Sequence, residues 1–144
     1  MVSLHFFVTV SSLFAASVVQ AALPQSEYGP QLEALQKNVR AACISTSGVD
    51  ETAISNVGNG VFTDEPKIKH YMTCVLKEGK LVNEKGVFSE QNIAQLFPDK
   101  YKEESLTNIK SCIVKVNDIT NLENKIFAFI KCYYHQNPDL FVFF

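Results

Sequence analysis

The sequence predicts an all-α domain of about six helices, and three observations carry that expectation. Apolar residues recur at helical spacing in segment after segment, whereas strand-like alternation persists nowhere outside the last few positions. Proline and acidic residues open several of these segments and glycine closes them, the order that helix ends favour. No repeat, low-complexity tract or linker divides the chain, so one domain with one core is the economical reading.

Leu32, Leu35, Val39 and Ala42 or Cys43 make one face of a first helix. It should start near Tyr28, with Pro30 in its first turn, and run to about Thr46, where Gly48 ends it. A short second helix is expected from Asp50 to Val57, before "GNG", Gly58 to Gly60, breaks the chain. The segment "DEPKIKHYMTCVLKEG" opens on acidic residues and Pro66, carries Ile68, Tyr71, Met72, Val75 and Leu76, and closes at Gly79, which reads as a third helix. After the "NEKG" turn, "SEQNIAQLF" makes a short fourth helix with Ser89 as N-cap, stopped at Pro98. Leu106, Ile109, Cys112, Ile113 and Val116 share one face of a fifth, from about Tyr101 to Val116. The last is announced by "TNLE", in which Thr120 caps the helix and Glu123 reaches back in a reciprocal capping box. From Leu122 to Tyr134 it is apolar on most sides, with Ile126 to Ile130 unbroken, the pattern of a helix wrapped by the others.

The first residues, "MVSLHFFVTVSSLFAASVVQA", read as a secretory signal peptide, with an apolar run from Phe6 to Val19 and small residues Val19 and Ala21 before a cut. The rival reading is a membrane anchor, but this run of 14 residues falls short of the roughly 20 that span a bilayer as a helix. The expected mature domain is therefore Ala22 to Phe144, secreted and extracellular. All 13 basic and 15 acidic side chains lie after the cut, so its net charge remains −2. There is no basic cluster and Arg40 is the only arginine, which argues against a nucleic-acid partner.

Cys43, Cys74, Cys112 and Cys132 are an even set in a secreted chain, the usual mark of disulfides, and four cysteines allow three connectivities. Zinc is the competing reading, but its sites draw on close pairs such as CxxC, and here 30, 37 and 19 residues separate successive cysteines. Catalysis needs a nucleophile or metal beside an activating base, and the mature chain holds only His70 and His135, neither in such a motif. No Gly-rich phosphate loop is visible. An enzyme is not expected, nor a cofactor or metal. An excess of apolar side chains in a small cross-linked helical domain suits a carrier of apolar ligands.

In "HYMTC" three residues separate His70 from Cys74, and in "ENKIFAFIKC" eight separate Glu123 from Cys132. With this spacing the chain resembles the six-cysteine insect odorant-binding proteins of the pheromone-binding and general odorant-binding family. His70 stands where that family has its second cysteine and Glu123 where it has its fifth. Those two pair with each other in the family, so the chain resembles its Minus-C subgroup, over the whole mature length. The resemblance implies bridges Cys43 to Cys74 and Cys112 to Cys132, each worth about 3 to 4 kcal/mol in the chain-entropy account.

If that fold is kept, His70 and Glu123 lie about as close as disulfide partners, and a hydrogen bond or ion pair between them could stand in for the missing bridge while His70 is protonated. The plainer alternative leaves Glu123 in its capping box and His70 as a surface imidazole.

The resemblance further implies a hydrophobic cavity between the helices that takes odorants, pheromones or fatty-acid-like molecules. Candidate walls are Val75 and Leu76 from the third helix, Ile93 and Leu96 from the fourth, and Ile109 and Ile113 from the fifth. The sixth would add Ile126, Phe127, Ile130 and Tyr133. Tyr71, Thr73 and Tyr134, besides Tyr133, could fix a polar ligand group. The tail "DLFVFF" is too apolar to stay in water, and in the family the segment after the last cysteine often covers or lines the cavity. Leu140 or Phe141 is the expected inward residue. A small hydrophobic molecule is thus the expected partner, with an olfactory receptor or a membrane surface as the place of release and a monomer or weak homodimer as the assembly. The alternative function is a venom, saliva or seminal-fluid protein that uses the same fold as an interaction surface.

Overall fold

The computed structural model describes residues 22–144, so the expected signal peptide, residues 1–21, lies outside the described residues. Six α-helices follow in order: α1 Pro30–Ser47, α2 Glu51–Gly58, α3 Pro66–Glu78, α4 Glu90–Leu96, α5 Asp99–Lys115 and α6 Leu122–Gln136. Short 3-10 turns at Gln25–Glu27 and Pro138–Leu140 flank them. Among the described residues the only β-type pairing is an isolated bridge between Val82 and Phe88, which closes the turn before α4.

The helix ends follow from local chemistry. Gly48 takes a left-handed φ of 64° and donates its N–H to the Ile44 carbonyl at 2.9 Å, ending α1. Asp50 caps α2 by accepting from the Ala53 N–H at 2.7 Å, and Ser89 caps α4 through the Asn92 N–H at 3.3 Å. α5 begins earlier than its apolar face suggests. The Pro98 carbonyl accepts from the N–H groups of both Tyr101 and Lys102, so the first turn starts at Asp99, whose charge suits a helix N-terminus.

The start of α6 corrects the capping-box expectation. Asn121, not Thr120, is the cap, and its side chain accepts from the Asn124 N–H at 2.9 Å. With the cap one residue later, Glu123 is the second helical residue rather than the third and cannot reach back to it.

Helix α3 packs between α1 and α6. It buries Ile68, Tyr71, Met72, Thr73, Val75 and Leu76, whereas α6 buries only Ile126, Phe129, Ile130 and Tyr133. The central element is therefore α3 and not the more apolar α6. Phe127 explains the difference: it turns outward and is covered by the edge of Phe62, ring centroids 6.3 Å apart, and by the Lys69 ammonium 5.3 Å from its ring.

Two disulfides fix this arrangement. Cys43–Cys74 ties α1 to α3 with Cα atoms 5.6 Å apart, and Cys112–Cys132 ties α5 to α6 at 5.7 Å. Among the described residues no cysteine is free. No helix among them is long and apolar enough to cross a membrane.

Candidate ligand cavity

Between α1, α3, α4, α5, α6 and the tail lies a cavity of about 70 Å³ with an almost wholly apolar lining. Helix α3 contributes Val75 and Leu76, α4 contributes Ile93 and Leu96, α5 contributes Ile109, and α6 contributes Ile130 and Tyr133. These seven were candidates from helical spacing. The other five stand elsewhere, each for a physical reason.

Ile113 follows Cys112, which is fully buried and tethered to Cys132, and it is half-buried against the core, off the cavity lining. Ile126 is fully buried in solid core. Phe127 faces out against Phe62. Leu140 is buried in the 3-10 turn, and its carbonyl accepts from the Tyr133 hydroxyl at 2.7 Å. Phe141 is fully buried among Tyr133, Tyr134 and Phe143, with ring centroids at 5.4, 5.1 and 6.1 Å.

The tail does form part of the cavity wall, but through Val142, Phe143 and Phe144 rather than Leu140 or Phe141. Two bonds hold it in place. The Leu23 N–H donates to the Phe141 carbonyl at 2.9 Å, and the Tyr71 hydroxyl donates to the Phe144 main-chain oxygen. Burial of Tyr71 pushes its phenol up to about 12, against the pull of the Arg40 charge.

Leu32, Leu35, Leu81, Phe97 and Phe129 also line the space. Leu32 and Leu35 share the apolar face read for the first helix, which is a signal for an inward wall. Leu81 and Phe97 follow helix ends, where periodicity has stopped and carries no signal.

Tyr133 is the only lining side chain with a polar atom. Burial raises its phenol above the ordinary value, and the neighbouring Ser105 hydroxyl opposes that rise. Of the other polar candidates, Tyr71 holds the tail, Tyr134 packs on Phe62 and Phe141, and Thr73 is buried without a hydrogen-bond partner and off the lining.

Outside the cavity, His70 Nδ1 lies 3.0 Å from Glu123 Oε1. Arg40 makes a bidentate contact with Glu51, and this hydrogen bonding holds the Glu51 carboxyl below its ordinary value. Among the described residues no group of three or more His, Cys, Asp or Glu is placed to hold a metal.

Six helices, two cross-links and an apolar space between them define the class, a disulfide-braced helical bundle of the kind that carries small ligands. Residues 25–136 match the PBP/GOBP family. The chain is 25% identical over 119 residues to general odorant-binding protein 72 of Anopheles gambiae, covering 78% of this chain and 95% of the relative. It is 28% identical over 113 residues to the B1 protein of Tenebrio molitor, covering 74% and 82%. The solved structure of odorant binding protein 5 of Apis mellifera superposes with a TM-score of 0.65 at 22% identity, over 78% of this chain and 94% of that one, a likeness of fold. The chain belongs to the PBP/GOBP family, and its four paired cysteines agree with the Minus-C subgroup. That family consists of odorant-binding carriers rather than enzymes.

Proposed function

We propose that the protein is a secreted carrier that reversibly takes up small hydrophobic ligands, odorant-, pheromone- or fatty-acid-like, in the cavity beneath its C-terminal tail. The observation that carries this reading is the apolar space itself: a cleft between helices with one polar side chain at its wall favours burial of apolar surface over any charged chemistry. Val75, Leu76, Ile93, Leu96, Ile109, Ile130 and Tyr133 would contact the ligand, together with Val142, Phe143 and Phe144. A micromolar affinity corresponds to about 8 kcal/mol, within reach of burial alone. At about 70 Å³ the space is small, so larger ligands enter by displacing the tail. Secretion would follow from removal of residues 1–21.

The test is uptake of the fluorescent apolar probe N-phenyl-1-naphthylamine by the folded, lipid-extracted protein, with displacement by short-chain volatiles. Saturable uptake and displacement are expected. A folded protein that takes up no probe would count against the carrier reading.

A further inference from the structure

Away from the cavity, the turn that follows α2 joins a reactive sequence to a packing demand. Asn59 is the only asparagine in the chain that is followed by glycine. It is exposed at the C-cap of α2, and Gly60 after it takes a left-handed φ of 79°. A Cβ at Gly60 would overlap the ring of Tyr134, so backbone angle and neighbour together exclude a side chain there. The fold thus demands at this place the one residue that leaves its main-chain nitrogen unshielded beside the Asn59 amide.

We infer that Asn59 is a site of spontaneous deamidation, restrained by the native turn, whose conversion loosens the anchor of the C-terminal tail. The Gly60 main-chain nitrogen, after losing its proton to solvent base, attacks Asn59 Cγ. A Cγ–N bond forms, the Cγ–Nδ2 bond breaks, and ammonia leaves behind a five-membered succinimide. Water then adds to either ring carbonyl and opens the ring to aspartate or isoaspartate. Water is the only co-reactant, and nothing is oxidised or reduced. Three native features oppose the first step. The Asn59 ψ of 10° points the Gly60 nitrogen away from Cγ. The Gly60 N–H donates to the Val57 carbonyl at 2.9 Å, and Asn59 Nδ2 donates to the Ser55 carbonyl at 2.9 Å. Ring closure must break both bonds and rotate ψ, so it proceeds only from a locally opened turn.

The product changes its surroundings in a definite direction. Either acid sets a negative charge against the carbonyls that end α2 and removes the donor to Ser55. Isoaspartate also adds a main-chain carbon just before Gly60, where the Tyr134 ring leaves no space for the chain to shift. That ring lies 5.6 Å from Phe62 and 5.1 Å from Phe141, whose carbonyl accepts from Leu23. A displaced turn therefore reaches the tail through one aromatic side chain.

The test needs no ligand. The intact protein with both disulfides is incubated in mildly alkaline buffer beside the same protein reduced and held in urea, and peptide mapping by mass spectrometry follows amide-to-acid conversion at each asparagine. In the unfolded chain Asn59 should convert before any other asparagine, and in the folded protein it should convert more slowly by roughly tenfold or more. Tyr134→Ala should quicken conversion severalfold in the folded protein and leave the unfolded rate unchanged. In the isolated isoaspartate form, amide hydrogen exchange over residues 137–144 should quicken severalfold. Equal rates in the folded and unfolded parent, a comparison that needs no variant to fold, overturn the protective turn. Another asparagine converting first in urea overturns the site, and unchanged exchange in the tail overturns its link to the anchor.

Discussion

His70 Nδ1 and Glu123 Oε1 stand 3.0 Å apart and join α3 to the first turn of α6. The two positions are those at which the resemblance to six-cysteine proteins places the absent bridge. Glu123 is free for this contact because Asn121, rather than Thr120, took the cap. Nearby, Lys69 is directed elsewhere, to Asn124 Oδ1 at 2.8 Å and to Asp64, so it does not compete for Glu123.

The pair is open to solvent, with 49% of the His70 side chain and 40% of the Glu123 side chain exposed. We propose that it marks the place of the lost bridge without matching its strength. His70→Ala and Glu123→Ala should each cost under about 1 kcal/mol, with a positive coupling in the double-mutant cycle that shrinks in high salt. His70→Cys combined with Glu123→Cys should oxidise to a third disulfide and stabilise by about 2 to 4 kcal/mol. Thermal melts of the four variants measure this, and a cycle with zero coupling would sink the ion-pair reading.

The cap of α6 offers a cleaner discrimination between neighbours. Asn121→Ala removes the acceptor of the Asn124 N–H and should cost about 1 kcal/mol, while Thr120→Ala should change stability by only a few tenths. Equal effects in urea denaturation would restore Thr120 to the role its spacing suggested.

Tyrosine ionisation gives a prediction with a definite sign. The Tyr71 phenol is pushed up to about 12 by burial, and Tyr133 is raised for the same first reason. A group raised in the folded state contributes stability that is full below its unfolded value, here 10.0, and is lost as pH climbs through the folded one. Stability should therefore hold to about pH 10 and fall toward pH 12, with Tyr71→Phe flattening that decline. In an ultraviolet phenolate titration, Tyr71 and Tyr133 should ionise only with unfolding. Full ionisation of all five tyrosines in a protein that keeps its helical signal would contradict this.

Much of this architecture was legible because it is written locally. Pro30, Gly48, Asp50, Pro66 and Ser89 mark helix ends through backbone and capping chemistry that needs no tertiary partner. What was not legible depends on rotation and on chain beyond the helices. Periodicity puts Ile109 and Ile113 on one face, but the packing of α5 against its neighbours, which local sequence does not encode, brings only Ile109 to the cavity. Phe127 and Phe129 are two residues of one apolar run, and the loop residue Phe62 determines that the first is covered from outside. In the tail, an apolar strip was readable but the phase at which it meets the cavity, through Val142, Phe143 and Phe144 in succession, was not. The phase is set by the Leu23 N–H holding the Phe141 carbonyl and by Tyr71 holding Phe144, contacts between residues far apart in sequence.

That phase yields the last prediction, because it splits the tail into an anchor and a wall. Phe141 is fully buried and bonded through its carbonyl, whereas Val142, Phe143 and Phe144 border the cavity. Removing residues 142–144 deletes three lining side chains and the Tyr71 contact but leaves the anchor, so helix content should be kept and melting should change little. Probe release in stopped flow should quicken severalfold, since the ligand no longer waits for the tail to move. Removing Phe141 as well takes away a buried ring worth about 3 to 5 kcal/mol, and the melting temperature should then drop sharply. Release rates unchanged by the shorter truncation would refute the wall, and equal melting of the two truncations would refute the anchor.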